Sequence, residues 1–187
     1  MTTTRPRAIT SPYAHDDARK ARFERIVNEH YAFVRRSVRR LGVPDADLSD
    51  AVQEVFLVAA RNLDAIEQER GYLFRACTFV AGHTRRTLRR LPEVVDQQLL
   101  DEEVDGGERP DQSVESKQTC ELLQSFLDRM PEELRAVFVL FELERFTMSE
   151  IADALALPPG TVASRLRRGR ELFMTLALRA KRQGDLR

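Results

Sequence analysis

The chain has 187 residues, 42% of them hydrophobic and 32% charged, with 30 Lys and Arg against 30 Asp and Glu. That composition suits one or two small water-soluble domains, and no apolar run approaches the roughly 18 residues of a membrane span. The opening "MTTTRPRAITSPYAHDDARKARF" lacks the apolar core of a signal peptide, so a cytoplasmic protein without membrane insertion is expected. Cys77 and Cys120 stand far apart with no C-x-x-C pattern, which reads as two free thiols.

The balanced total hides a segregation of charge. Residues 1–92 carry 17 basic and 11 acidic side chains, residues 93–115 carry 1 and 9, and residues 116–187 carry 12 and 10. Two basic-leaning segments flanking an acidic one point to a nucleic-acid partner.

Residues 1–18 read as a flexible N-terminal tail and 19–92 as a first helical domain. In "FERIVNEHYAFVRRSVRRLG", Phe23, Ile26, Val27, Tyr31, Val34 and Val38 recur at helical spacing, and Gly42 and Pro44 stop the helix. The next helix, "DLSDAVQEVFLVAARNL", has Asp47 as its expected N-cap. Leu48, Ala51, Val52, Val55, Phe56 and Ala59 form its core stripe. Its opposite face carries Asp50, Gln53, Glu54 and Arg61 around an apolar Leu57. Such a stripe is either a solvated face or, given Leu57, a partner surface.

The third helix, "GYLFRACTFVAGHTRRTLRR", puts Leu73, Ala76, Cys77 and Val80 on one face and Tyr72, Arg75, Phe79, His83, Arg86 and Arg90 on another. Rings interleaved with arginines make a stacking platform for unpaired bases with cations for their phosphates. The same pattern also fits Tyr72 and Phe79 packing inward on a neighbouring helix. No His, Cys, Asp or Glu set has ligand spacing, so no metal site is expected.

The acidic segment 93–115, with Gly106, Gly107 and Pro110, reads as a flexible linker. A second helical domain follows at 116–180, with 181–187 as a C-terminal tail. Pro131, Glu132 and Glu133 open one of its helices, and Phe126, Val137, Leu140 and Phe141 should form its core. In "MSEIADALALPPGTVASRLRRGRELF", Thr147 and Glu150 make a capping box, Pro158, Pro159 and Gly160 a turn, and Val162, Leu166, Gly169 and Phe173 the inner face of a further helix. Thr161, Ser164, Arg165, Arg167 and Arg168 point outward. Two short helices, a tight turn and a cationic outer face describe a helix-turn-helix whose second helix fits a major groove. A plain amphipathic hairpin with a solvated basic face is the alternative.

The stretch "MPEELRAVFVLFELERFTMSEIADALALPPGTVASRLRRGRELF" resembles region 4 of an extracytoplasmic-function (ECF) sigma factor. "DLSDAVQEVFLVAARNLD" resembles region 2.2 of the same family, and "GYLFRACTFVAGHTRRTLRR" regions 2.3 and 2.4. The resemblance implies an all-α fold of two small helical domains, a region 2 bundle and a region 4 helix-turn-helix bundle. It implies a promoter-specificity subunit of bacterial RNA polymerase with no catalysis of its own, no cofactor and no small-molecule substrate. Core polymerase would bind Asp50, Gln53, Glu54 and Leu57. Single-stranded −10 DNA would bind Tyr72, Arg75, Phe79, His83, Arg86 and Arg90, and the −35 duplex Thr161, Ser164, Arg165, Arg167 and Arg168. An anti-sigma factor is the further expected partner. The chain departs from the usual family pattern at Tyr72 (Trp), Phe79 (Asn), His83 (Asp) and Ala163 (Lys or Arg), so promoter preference does not carry over. The competing function is a stand-alone helix-turn-helix regulator with a helical interaction domain. An enzyme is disfavoured, since no phosphate loop, nucleophile–base set or metal cluster is present.

Overall fold

The computed structural model describes residues 12–88 and 114–183, and every element in them is helical. Most of the N-terminal tail, Arg90, nearly all of the acidic linker and the end of the C-terminal tail lie outside the described residues. Three helices precede the linker: α1 (Pro12–Arg40), α2 (Leu48–Arg61) and α3 (Glu69–Leu88). Four follow it: α4 (Val114–Asp128), α5 (Glu132–Phe138), α6 (Met148–Leu155) and α7 (Pro159–Gln183). A π-helical turn, Val139–Leu143, continues α5.

The first three helices pack into a bundle around Ile26, Val34, Val38, Val52, Val55, Leu63, Leu73, Cys77 and Val80, all buried. Each such side chain contributes about 1.5–3 kcal/mol on leaving water. Burial also pushes the Cys77 thiol well above its ordinary pKa, so it is an inert core group. α1 ends as its sequence dictates. Gly42 takes φ +90, Val43 N donates to Val38 O and Gly42 N to Arg39 O, which closes the helix with a left-handed glycine.

The start of α2 differs from expectation. A 3-10 turn, Asp45–Asp47, leads straight into the helix, so Asp47 has φ −100 and ψ 1 and its side chain caps nothing. An N-cap needs extended backbone for its carboxylate to fold back on the first turn.

In the second half, Phe126, Leu127, Met130, Val137, Leu140, Ile151, Val162 and Leu166 are buried. Phe141 is only half-buried and lies under the Arg170 guanidinium, 5.0 Å from the ring centre. Phe173 stacks on Phe138 (5.1 Å) and meets Phe126 edge-on (5.5 Å). The capping box forms: Thr147 N donates to Glu150 Oε2 at 2.7 Å and Glu150 N to Thr147 Oγ1 at 3.3 Å. α6 closes with Ala156 in the left-handed region (φ 52), with Leu157 N donating to Ala152 O. The turn between α6 and α7 is therefore centred one residue or more earlier than the Pro-Pro-Gly suggests, and Pro159 and Gly160 form the first turn of α7.

The two bundles are not separate bodies. One continuous apolar core runs from α1, α2 and α3 into α5 and α6. α3 lies against α6, and Phe33 of α1 stacks on Phe146 (6.4 Å) across the boundary.

Candidate nucleic-acid and polymerase interfaces

On α2 the outward residues Asp50, Gln53 and Glu54 are exposed, and so is Leu57 at 43%. The core stripe on the other side of the helix is filled by Leu48, Ala51, Val52, Val55, Phe56 and Ala59, which fixes this orientation. The result is an acidic and amide patch one helical turn from an unpartnered leucine. Tyr31 of α1, also exposed, stacks on Phe56 with ring centres 6.4 Å apart.

On α3 the expected stripe is split. Phe79 is the most exposed large apolar side chain among the described residues, at 65%. His83 and Arg86 are exposed beside it. Tyr72 is half-buried and packs on the core. Arg75 is engaged elsewhere, with its Nε donating to Ala154 O at 2.7 Å and its Nη2 to Asp153 O at 2.8 Å. It caps the C-terminal end of α6, where the helix dipole favours a cation. Arg90 lies outside the described residues.

On α7 the inner residues Val162, Leu166 and Gly169 are buried against α5, and the outer face is open. Arg167 and Arg168 are exposed, and Thr161, Ser164 and Arg165 are half-buried. The Ser164 hydroxyl donates to Thr161 O at 3.0 Å, and Arg167 pairs with Glu171 at 2.6 Å on its own helix. Both contacts are local and exchangeable for a DNA partner.

Spacing alone did not find two buried charged centres. Glu144, 4% exposed at its side chain, is clasped by Arg40 (2.5 Å), Arg70 (3.6 Å) and Arg36 (3.7 Å). Arg135, 1% exposed, donates to Leu41 O (2.9 Å), Asp128 O (2.9 Å) and Met130 O (3.0 Å). The available signal was a lone charge inside an apolar run, "LRAVFVL" for Arg135 and "FELERF" for Glu144. Buried charges are kept only when paired. A third cluster joins α1 to α3. One ligand atom each of Glu29, His30 and Glu69 lie within 4.8 Å of one another. Arg25 already bridges both carboxylates, at 2.7 Å and 2.5 Å, and holds the Glu69 carboxyl below its ordinary pKa. The guanidinium supplies the positive charge that a metal ion would bring. Glu69 is too far along the chain from His30 for a spacing rule to pair them.

Comparison with known proteins completes the picture. A sigma-70 region 2 family model matches residues 26–91, and a sigma-70 region 4 model matches residues 120–173. The ECF RNA polymerase sigma-E factor of Escherichia coli K12 is 30% identical over 139 residues, covering 69% of this chain and 73% of that protein. The chain belongs to the ECF sigma factors of the sigma-70 family. It is also 29% identical over 163 residues to the ECF sigma factor SigE of Mycolicibacterium smegmatis, and spans 62% of that protein's length. Two solved structures share the fold. CnrH, in complex with the cytosolic domain of CnrY, matches with a TM-score of 0.62 at 22% identity over 83% of this chain and 86% of that one. The sigma factor RpoE, with the anti-sigma factor NepR from Bartonella quintana, matches with a TM-score of 0.62 at 16% identity over 83% and 96%. The region 2 match takes in α2 and α3, and the region 4 match takes in α5, α6 and the basic half of α7. No helix among the described residues is long and apolar enough to cross a membrane.

Proposed function

We propose that this chain is a dissociable promoter-specificity subunit of bacterial RNA polymerase. Region 2, residues 19–92, docks core enzyme through Asp50, Gln53, Glu54 and Leu57. It captures unpaired −10 bases on the α3 stripe, Tyr72, Arg75, Phe79, His83, Arg86 and Arg90. Region 4, residues 116–180, lays α7 in the major groove of the −35 element with Thr161, Ser164, Arg165, Arg167 and Arg168. The carrying observation is that both family regions occur in one chain, in family order. Either alone would fit other DNA-binding proteins.

The physical roles divide by chemistry. Arginines along α7 neutralise phosphates and release counterions, which gives affinity in any sequence. A guanidinium aimed at the groove floor can hold guanine through two hydrogen bonds. Rings on α3 stack on bases that have left the duplex, worth about 1–3 kcal/mol per base. No bond is made or broken by the subunit; it supplies binding and orientation, and polymerase supplies the chemistry. It works in the cytoplasm, where polymerase and promoter are. The complexes of RpoE with NepR and of CnrH with CnrY support an anti-sigma partner for this chain as well.

The deciding experiment is co-purification of the full chain with core RNA polymerase, followed by run-off transcription. Promoter-specific transcripts that depend on the added chain are expected. Absence of core binding, with intact binding of duplex DNA by the chain alone, would replace this reading by a stand-alone regulator.

A further inference from the structure

We propose that Arg19, Arg22 and Arg25 of α1 are positioning residues for single-strand capture. They brace the connection between α2 and α3, and so set how the first turns of α3 present Tyr72 and Arg75 to an unpaired −10 base. The proposal rests on the sigma-factor reading above. The three arginines recur at every third residue, which keeps them on one side of the helix. All three precede residue 26, where the match to the region 2 family model begins. The brace is thus supplied by a part of α1 that the family match does not reach.

Each arginine reaches a different point of the connection. Arg19 Nη2 donates to Ala60 O at 3.2 Å, in the last turn of α2, and its Nη1 pairs with Asp64 at 3.2 Å. Arg22 Nη2 donates to Ile66 O at 2.6 Å. Arg25 Nη2 pairs with Glu69, the first residue of α3, at 2.5 Å. The tie points follow one another along the connection as the arginines follow one another along α1. Two of them are main-chain carbonyls that need an outside donor. The last four carbonyls of a helix have none within it, and a cation there also meets the negative end of the helix dipole. Ile66, at φ −84 and ψ 108, is extended and belongs to neither helix. Leu63 and Ile66 are buried and pin the connection from the core side, while the arginines pin its outer edge. One exposed ion pair would contribute little. Three successive ties, two of them to backbone, fix a segment.

What the segment fixes is the start of α3. Glu69 and Tyr72 are three residues apart and so are neighbours on the helix surface. Tyr72 N donates to Gln68 O at 2.9 Å, which ties the ring's own turn to the connection. The Glu69 carboxylate is held from α1 by more than one group. His30 Nε2 lies 3.1 Å from its Oε2, and Arg25 is itself steadied by Glu29 at 2.7 Å. Ala65, Glu67 and Gln68 of the connection share one cavity wall with Tyr72 and Arg75. A binding group works only if it is held within about 0.5 Å of its productive place. α2 is seated by its own core stripe, so loosening the connection leaves the Asp50, Gln53, Glu54 and Leu57 face where it is. The first turn of α3 has no such independence, because Glu69 begins it. Loss of the brace should therefore impair capture and spare core binding.

The test uses holoenzyme assembled from core polymerase and the full chain, with a fluorescent single-stranded oligonucleotide carrying the −10 element as probe. Arg25→Glu sets a third carboxylate beside Glu29 and Glu69. It should lower oligonucleotide affinity about fivefold or more, the lower end of what one stacked base contributes. Affinity for core polymerase should stay native. Glu69→Arg alone should show a similar loss, and Arg25→Glu with Glu69→Arg, which re-forms the pair in reverse, should recover most of the oligonucleotide affinity. A general loss of stability would not recover in this way. Arg22→Met keeps the apolar stem and removes the donor to Ile66 O. It should weaken capture severalfold, and it decides the matter if Arg25→Glu does not fold. Native oligonucleotide affinity in Arg22→Met and Arg25→Glu would overturn the brace. So would core binding lost in step with capture, or a reversed pair that recovers nothing. If the native chain itself fails to bind core enzyme, the sigma-factor reading falls and this proposal with it, whereas native-like variants on a working holoenzyme remove the brace alone.

Discussion

α3 and α7 carry similar cargo, an apolar inner face and a run of arginines, yet they present it differently. The outer line of α7 is open, and Arg167 and Arg168 make only contacts that their own helix supplies, while Arg170 to one side pairs with Glu142 at 2.6 Å. α3 has two sides occupied: one by α1 and α2, the other by region 4, which takes up Arg75 and Arg85. The difference is one of packing area. α7 packs its inner stripe on α4, α5 and α6 and leaves its outer line open, whereas the small residues on α3 admit region 4 on a second side. The proposed duplex-reading face is therefore open, and the proposed single-strand stripe is split, with Phe79, His83 and Arg86 exposed and Tyr72 and Arg75 engaged by neighbours.

The largest expected effect tests whether the polymerase face is independent of both helices. Asp50→Arg with Glu54→Arg should abolish core binding, since like charge against a basic partner costs several kcal/mol. Circular dichroism and DNA binding by α7 should remain native. Retained co-purification with core enzyme would move the docking face elsewhere on region 2.

Within α3, the contrast between free and held rings predicts a split. Phe79→Ala should weaken capture of a −10 oligonucleotide by the free chain by about 1–3 kcal/mol, as a lost stacking contact does. Tyr72→Ala should show its loss of similar size chiefly in open-complex formation on duplex promoter, after polymerase has docked, with rescue by a pre-melted template. Permanganate reactivity equal to the native protein in both variants would leave the stripe without a role in melting.

Within α7, Arg168 shares the outermost line with Ser164 and Thr161, whereas Arg165 flanks it. Arg168→Ala should cost about 1–3 kcal/mol and relax preference at one −35 position. Arg165→Ala should weaken all sequences alike and lower the salt slope by about one. A substitution library of the −35 element at two salt concentrations separates these outcomes. Uniform loss in both variants would assign specificity to the hydroxyls or to DNA shape.

The smallest effect is acid sensitivity, with one site in each region. Glu69 is held below its ordinary pKa first by the Arg25 hydrogen bond, and Glu150 first by the Thr147 backbone N–H. A carboxyl lowered on folding stabilises the native state fully above its unfolded pKa, about 4.3, and loses that contribution as pH falls through the folded value. Stability of the native chain should decline below about pH 4 in thermal melts. Glu69→Gln and Glu150→Gln should each flatten that decline, and an unaltered slope would mean neither ion is retained in solution.

Much of the fold was legible because its signals are local. The core stripe of α2, the stop at Gly42, the Thr147–Glu150 capping box and the inner face of α7 all follow from helical spacing and backbone chemistry within a few residues. Where local reading missed, either the adjoining turn or a neighbour in space had overruled it. Asp47 lost its cap to the 3-10 turn it belongs to, and the left-handed Ala156 ended α6 ahead of the Pro-Pro-Gly. Phe33, one place off the stripe of α1, is buried because Phe146 arrives from more than a hundred residues away.

The sequence by itself determined two helical units in family order, an acidic face on α2 and a cationic face on α7. Each depends on the periodicity of a single helix, which composition and spacing encode directly. Only the tertiary structure decided that the units share a core, that Arg75 caps α6, and that Glu144 and Arg135 are buried charges across a boundary. Those facts depend on which faces meet after some 70 to 100 residues of intervening chain. A side chain's partner at that range is chosen by the joint packing of several helices, and no pattern within one of them records it.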